Sequence, residues 1–434
     1  MKNHKRVLII TYYWPPSGGS GVQRWLKFSK YLPEYGWQPV IYTPSNPEIP
    51  IADTSLYNDI SHEAEIITQP IWEPYTFYKR FLGLKKSDRI QTGFLSEKKK
   101  NGWAEDFAIW IRGNLFIPDA RKFWINPSTR YLSEWLKNNP VDAIVSTGPP
   151  HSMHRIALGL RKQFDIPWIA DFRDPWTQID FYEDLKLSKW ADEQHHKQEK
   201  EVLETADHIL VVGPSMKTDF EKLTSKPIHV ITNGYDSSDF EGLPTPKDTR
   251  FSIVHIGSMV PSRNPIGLFR ALSELKDEHA GIERDLCIRL IGSVDHSVFS
   301  AIESLDLTDF VEKIDYLPHN EVVTEQTRAA VLLLVLNKSF SAKRIVTGKV
   351  FEYLAAERPI LALGDEESDV AEILEQAGVG CVIDHDSVER IKERVIELYE
   401  SWKYQINDTP IGSYTKFSRK SLTGDLVEIL NTTL

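Results

Sequence analysis

The sequence is short of cysteine, of long apolar runs and of positive charge, and each shortage excludes something. Its two cysteines, Cys287 and Cys381, both fall in strand-like apolar runs, D-L-C-I-R-L-I-G and V-G-C-V-I-D. They read as small core residues in a reducing compartment, not as a disulfide or a metal site. Away from the N-terminus the longest apolar run, Ala329–Leu336, falls far short of the roughly 20 residues that span a bilayer. The N-terminal M-K-N-H-K-R-V-L-I-I-T-Y-Y-W-P-P has the charge-then-apolar order of a signal peptide. Pro15 and Pro16 break its short apolar run, however, and no small-residue cleavage site follows. A cytoplasmic protein is therefore expected. A formal charge of −11 excludes a general nucleic-acid binder, whose affinity rests on a basic surface.

What is present suffices for two domains with real cores: 434 residues, 41% of them hydrophobic. Val7–Tyr13 is a continuous apolar run that ends in P-P-S-G-G-S-G. The following V-Q-R-W-L-K-F-S-K-Y-L puts Val22, Trp25, Leu26, Ser29 and Leu32 on one helical face, and Pro33 and Gly36 stop it. Further strands are predicted at Pro39–Thr43, Ala143–Ser146, Trp168–Phe172, His208–Val212 and Ile228–Thr232. Helical segments lie between most of them, the pattern of a parallel sheet wound with helices. Residues 45–135 read as an insertion on the cleft side of this domain. They are rich in aromatics and lysine, with an amphipathic stretch at Trp103–Leu115 and little strand signal.

The polar, turn-rich N-G-Y-D-S-S-D-F-E-G-L-P-T-P-K-D is the linker candidate. Strands then restart at Phe251–Ile256, Leu286–Ile291, Val331–Leu336, Pro359–Leu363 and Cys381–Ile383. Helices are predicted over 264–280, 296–305, 347–357, 368–377 and 387–401. The expected architecture is α/β: two tandem Rossmann-like, doubly wound parallel-sheet domains facing across a cleft. Their bounds are 1–232 and 251–405, joined by a linker at 233–250, with a C-terminal helix in 406–434 packing back on the first domain.

Residues 343–364, K-R-I-V-T-G-K-V-F-E-Y-L-A-A-E-R-P-I-L-A-L-G, carry the most chemistry. Thr347, Gly348 and Lys349 open a helix, where unpaired N–H groups and a lysine attract an anion. Glu352 follows at i+3 from Lys349, so both side chains can face one ligand. A cation with a carboxylate one turn deeper suits a nucleotide, diphosphate on the first and ribose hydroxyls on the second; a plain surface Lys–Glu pair is the alternative. Three further motifs sit after strands: the Gly18-Gly19 loop, D-F-R-D-P-W after Trp168–Phe172, and G-S-M-V-P-S-R-N after Phe251–Ile256. Open parallel sheets bind ligands at the carboxyl ends of their strands, and all four motifs fall at that edge, two in each domain.

These residues resemble the GT-B glycosyltransferases, specifically the retaining, sugar-nucleotide-dependent enzymes of glycosyltransferase family 4. The resemblance rests on the Gly18-Gly19 loop, A-D-H-I-L-V-V-G-P-S-M, I-T-N-G-Y-D, H-I-G-S-M-V-P-S-R-N-P and G-K-V-F-E-Y-L-A-A-E-R-P-I-L-A. It implies transfer of a hexose from a nucleoside-diphosphate sugar, UDP favoured over GDP, to a saccharide or lipid-linked acceptor in cell-surface polysaccharide synthesis. By the same resemblance Arg263 and Lys349 grip the diphosphate, Glu352 holds the ribose, and Gly18 and Gly19 admit the donor closely. Gly257, Ser258, Thr347 and Gly348 complete the donor set. Arg173 and Asp174 join Arg263 and Lys349 as catalytic candidates, and Tyr13, His151 and His154 line the acceptor or sugar side. Fixed cations imply a reaction that needs neither a divalent metal nor a bound cofactor, in keeping with the lack of a convincing D-x-D motif. Retention without an obvious carboxylate nucleophile implies front-face attack within an ion pair.

The chain departs from the family pattern at two places. The family usually carries a glutamate eight positions before the ribose-binding one, where Arg344 stands here. It often carries a histidine after the strand at Trp168–Phe172, where Arg173 stands here between Asp171 and Asp174. Two other readings of the whole chain are a non-catalytic nucleotide-sugar-binding subunit, motivated by Arg344, and a sugar-nucleotide 2-epimerase. An epimerase needs no acceptor cavity, and the insertion argues against it. His195-His196 reads as part of a solvated helix face in A-D-E-Q-H-H-K-Q-E-K-E, and Tyr12, Tyr13 and Trp14 as packing or as a sugar platform. Asp171, Arg173 and Asp174 read as a functional cluster ahead of a buried ion pair. The basic and apolar F-Y-K-R-F-L-G-L-K-K offers peripheral contact with the inner membrane face.

Overall fold

The computed structural model describes residues 4–49, 52–74, 103–179, 181–242, 247–338, 343–406 and 414–434. F-Y-K-R-F-L-G-L-K-K lies outside them. The chain divides into two compact units, Met1–Thr232 with Leu422–Leu434, and Asn233–Ser421.

The first unit is built on a seven-stranded, all-parallel sheet. Its strands are β1 (Lys5–Ile10), β2 (Trp37–Pro44), β3 (Glu65–Gln69), β4 (Ala143–Gly148), β5 (Trp168–Phe172), β6 (His208–Val211) and β7 (Ile228–Val230). They lie in the order β3-β2-β1-β4-β5-β6-β7. The apolar run in β1 is continuous because both of its faces are buried. Leu8 and Ile10 enter one core with Tyr42, Met153, Ile156 and Phe172. Val7 and Ile9 enter the other with Trp25, Leu26, Val145 and Ile169, where Leu422, Leu426 and Leu430 of the C-terminal helix Arg419–Thr433 also pack.

Residues 45–135 are more than an appendage. The segment Glu65–Gln69 extends the sheet beside β2, and the helix Lys122–Leu136 buries Trp124 and Leu132 in the core. The strand signal of β3 is weak because it is an edge strand with only Ile67 fully buried.

The second unit carries a six-stranded parallel sheet in the order β10-β9-β8-β11-β12-β13. Its strands are β8 (Phe251–Ile256), β9 (Leu286–Ile291), β10 (Val311–Ile314), β11 (Val331–Val335), β12 (Ile360–Leu363) and β13 (Val382–Ile383). The central strands are buried throughout, while β10, V-E-K-I, is a half-exposed edge.

One buried cluster ties the first unit together at the carboxyl end of β5. Asp171 and Arg24 are both fully buried, with Arg24 Nη2 2.9 Å from Asp171 Oδ1. Trp25 Nε1 donates to Asp171 Oδ2 at 2.7 Å and Thr147 Oγ1 donates to the same oxygen at 2.8 Å. Arg24 Nη1 donates onward to the Thr232 carbonyl at 2.8 Å. Asp171 is therefore structural, not a partner of Arg173 as the D-F-R-D motif suggested: its carboxylate is taken up by Arg24, Trp25 and Thr147, while Arg173, beyond the end of β5, donates to the carbonyls of Gly21 and Pro149.

Burial opposes ionisation of Asp171, but Arg24 and the hydrogen bonds from Trp25 and Thr147 outweigh it and hold the carboxyl below its ordinary range. A depressed pKa of this kind stabilises the fold at pH values above the unfolded pKa of ~3.9, and the contribution is lost as pH falls through the folded value. Asp171→Ala leaves Arg24 charged and buried, and is expected to destabilise the first unit by about 3–5 kcal/mol. Thermal unfolding of the variant checks this, and an unchanged melting temperature would remove the pair from its structural role.

Candidate functional site

In the second unit the donor candidates gather at the carboxyl end of β8 and the start of the helix Lys349–Ala355. Gly257, directly after β8, has φ 114°, and a Cβ there would run into Lys349 Nζ. A glycine is thus required twice, for its backbone and for the lysine that lies across it. Arg263 ends the short turn Pro261–Arg263, and its Nε donates to Asn337 Oδ1 at 2.5 Å. Arg263, Asn337, Thr347 and Lys349 line one small recess. Among the described residues neither Arg263 nor Lys349 makes an ion pair.

Burial, then the nearby Arg263, pulls Lys349 down to about 8 from its ordinary 10.5, with Glu352 opposing. Two cations are thus held close together in a partly desolvated place, with Glu352 acting on Lys349 but no ion pair to either among the described residues. Glu352 stands one turn on and accepts from Gln326 Nε2 at 3.0 Å. Ser258 is half-buried on the loop after Gly257, and Thr347 Oγ1 lies 3.4 Å from Lys349 N. Gly348 has ordinary helical φ, and a Cβ there would meet nothing within 4 Å. Arg344 is exposed. A larger cavity of about 780 Å³, lined by Lys247, Arg358 and Trp402 among others, lies at the amino ends of β8, β11 and β12, away from Lys349.

The first unit has its own cavity, of about 440 Å³, lined by Tyr13, Gly18, Gly19, His151, Arg173 and Asp174 among others. Arg173 acts mainly as a clamp. Its Nη1 donates to the Gly21 carbonyl at 2.8 Å, its Nη2 donates to the Pro149 carbonyl, and its guanidinium lies over the Tyr13 ring. It thereby fastens the glycine loop to the P-P-H loop. Asp174 is exposed beside it. His154 does not reach the cavity. It is fully buried, with Nδ1 2.8 Å from Ser146 Oγ, and burial pushes its pKa down to about 3. His151, one helical turn earlier, does line the cavity and stacks on Trp176 at 4.6 Å with only 4° between the planes. Rings from both histidines converge on Gly148, where a Cβ would sit 2.6 Å from His154 Nε2 and 2.9 Å from His151 Nδ1.

The sequence reading missed His195 and Trp176. His195 is 3% exposed, not part of a solvated face. The indole N–H of Trp176 donates to His195 Nδ1 at 3.1 Å, which leaves the imidazole proton on Nε2, 3.2 Å from the Gly113 carbonyl. Glu199, four residues on, accepts from Thr177. Ala191, His195, Glu199 and Val202 recur at helical spacing and are all buried, a signal masked in the sequence by the charges between them.

Residues 95–239 match the profile described as Glycosyltransferase Family 4. No match was found among curated protein sequences. The sucrose-phosphate synthase of Thermosynechococcus elongatus superposes with a TM-score of 0.60 at 12% identity, over 99% of this chain and 99% of that one. WaaG, a glycosyltransferase of lipopolysaccharide biosynthesis, gives 0.56 at 14% identity over 98% and 99%. An E. coli trehalose-6-phosphate structure bound with UDP-2-fluoro glucose gives 0.57 at 10% identity over 98% of each chain. At such identities the likeness speaks for the fold, which is GT-B over the whole chain. A match to the Glycosyltransferase Family 4 profile across residues 95–239, on a fold that glycosyltransferases also adopt, supports a transferase enzyme.

The lowered pKa of Lys349 makes a ligand-linked prediction. An anion beside it favours the charged form, so UDP is expected to bind with proton uptake around pH 8–9 and to lose up to about tenfold in affinity per pH unit above 8. Calorimetry in buffers of different ionisation enthalpy measures both. A flat affinity from pH 7 to 9 would place the nucleotide away from Lys349.

Proposed function

We propose that the protein is a retaining, metal-independent hexosyltransferase that moves a sugar from a UDP-sugar to a saccharide or lipid-linked acceptor in cell-surface polysaccharide synthesis. The observation that carries this reading is the pair Arg263 and Lys349, held unneutralised beside Gly257. Breaking the sugar–phosphate bond leaves a nucleoside diphosphate of growing negative charge. Fixed cations interact with that charge more strongly in the transition state than in the ground state, which is what accelerates the step. Glu352 takes the ribose, with Gln326 orienting its carboxylate. Thr347, Gly348, Gly257 and Ser258 border the diphosphate, Gly18 and Gly19 admit the donor closely, and Tyr13 and His151 belong to the acceptor side with Arg173 and Asp174. UDP is preferred over GDP on the analogy of the neighbour bound with UDP-2-fluoro glucose. Peripheral contact with the inner membrane face is part of the same proposal. Among the described residues no helix is long and apolar enough to cross a membrane.

Arg344 in place of the family's usual glutamate favours a second reading, a subunit that binds a nucleotide sugar without transferring it. Slow hydrolysis of UDP-glucose separates the two, since an enzyme leaks sugar to water and a binder does not.

Lys349→Ala and Arg263→Ala are each expected to lower turnover by roughly 10²–10³, the usual loss when one preorganised charge donor is removed. Near wild-type turnover in both, with an identified donor, would overturn the diphosphate assignment. Because these side chains supply the charge that Mg²⁺ would otherwise bring, activity is expected to survive dialysis against excess EDTA. Complete loss restored by Mg²⁺ or Mn²⁺ would contradict that.

A further inference from the structure

Among the polar groups that line the cavity of the first unit, His151 is held in one orientation, and an apolar exit leads away from the cavity wall. His151 is 8% exposed, and its Nδ1 is buried against Gly148 without a hydrogen-bond partner. Burial, with Arg173 and two other histidines nearby, keeps the ring neutral. A neutral imidazole carries one proton. On Nδ1 that proton would be an orphaned buried donor, which is rare and costly; on Nε2 it faces the cavity. The ring cannot turn freely, because Trp176 lies parallel to it and is itself anchored by His195. His151 thus presents a single N–H to whatever fills the cavity.

The apolar exit starts at Phe116, a lining residue. Phe116 meets Phe123 at 6.1 Å between centroids, and Phe123 meets Trp72 at 4.9 Å. Phe123 is 44% exposed and Trp72 54%. An aromatic track therefore runs from the cavity wall to the surface.

We propose that this cavity takes an amphiphilic glycoside as acceptor, its saccharide head accepting a hydrogen bond from His151 Nε2–H and its aliphatic tail lying along Phe116, Phe123 and Trp72. The proposal rests on the assignment of this cavity to the acceptor. It makes His151 a specificity-determining contact and His195, acting through Trp176, a positioning residue.

The test uses hexyl and octyl β-D-glucopyranoside as probes, below their critical micelle concentrations, with the full chain and calorimetric or NMR detection. Half-burial of two methylenes, at about 0.8 kcal/mol for each fully buried one, corresponds to about fourfold tighter binding of the octyl compound. Phe123→Ser, at an exposed position, is expected to bring that ratio close to one. His151→Phe keeps the stack on Trp176 but removes the N–H, and is expected to weaken octyl glucoside by roughly fivefold to tenfold. His151→Gln, which restores a donor, is expected to stay within about threefold of wild type. Equal binding by wild type and His151→Phe would overturn the head contact, and an octyl-to-hexyl ratio that survives Phe123→Ser would overturn the tail track. No binding of either probe to wild type would overturn this proposal together with the acceptor cavity. UDP binding on the same sample reads the donor half independently.

Discussion

The buried carboxylate of Asp171 is the constraint on which the first unit depends. It sits in the sheet with zero exposure and takes three donors from two elements: Arg24 and Trp25 on the helix Ser20–Tyr31, and Thr147 on β4. A charge so placed is tolerable only if every lone pair is met, and the geometry that meets them leaves little freedom. Fixing β5 at Asp171 fixes the residues that follow it. Phe172 packs against His154, Arg173 reaches back to the loops at Gly21 and Pro149, and Trp176 stacks on His151. A shift of β5 by one residue would turn Asp171 out of its donors. The polar lining of the cavity is therefore set by a pair that never touches it.

The second unit handles charge in the opposite way. Its candidate site holds two cations beside each other with no ion pair to either among the described residues, and burial, then Arg263, brings Lys349 down to about 8 against the pull of Glu352. Such an arrangement is unfavourable in the free protein. An anionic ligand relieves it, and the relief grows as negative charge accumulates on the ligand. Asn337 on Arg263 and Gln326 on Glu352 are neutral, so they orient the charged groups without cancelling them. Partnered charge gives rigidity in one unit and unpartnered charge gives a driving force in the other.

Most of the fold was legible because the central strands are buried on both faces and announce themselves as apolar runs. The strands missed, β3 and β10, are edges with one or no fully buried residue, so the apolar signal is absent by necessity. The recess that holds Thr347 and Lys349 was legible as a cluster because a cation, a glycine and a helix start are neighbours in sequence. The acceptor side was less so. His151 was found from its place after a strand, and His154 was carried along with it although Ser146 and Gly148 enclose it in the core. Trp176 and His195 were missed because their relation crosses 19 residues and depends on one face of a highly charged helix. Asp171 was misjudged because its partners Arg24 and Trp25 lie far away in sequence, where adjacency in the motif cannot show them.

Two lines of argument bear on the enzyme class, and they come from different halves of the chain. The family profile covers 95–239, within and just beyond the first unit, whereas the diphosphate argument uses 257–352. Neither borrows residues from the other. At 10–14% identity to the structural neighbours little sequence persists beyond what the fold demands. A lysine forced across a positive-φ glycine and toward an arginine is a poor choice for stability alone, and stability alone would have removed it. An anionic ligand beside it would offset that cost, which is the physical argument for the proposed diphosphate position.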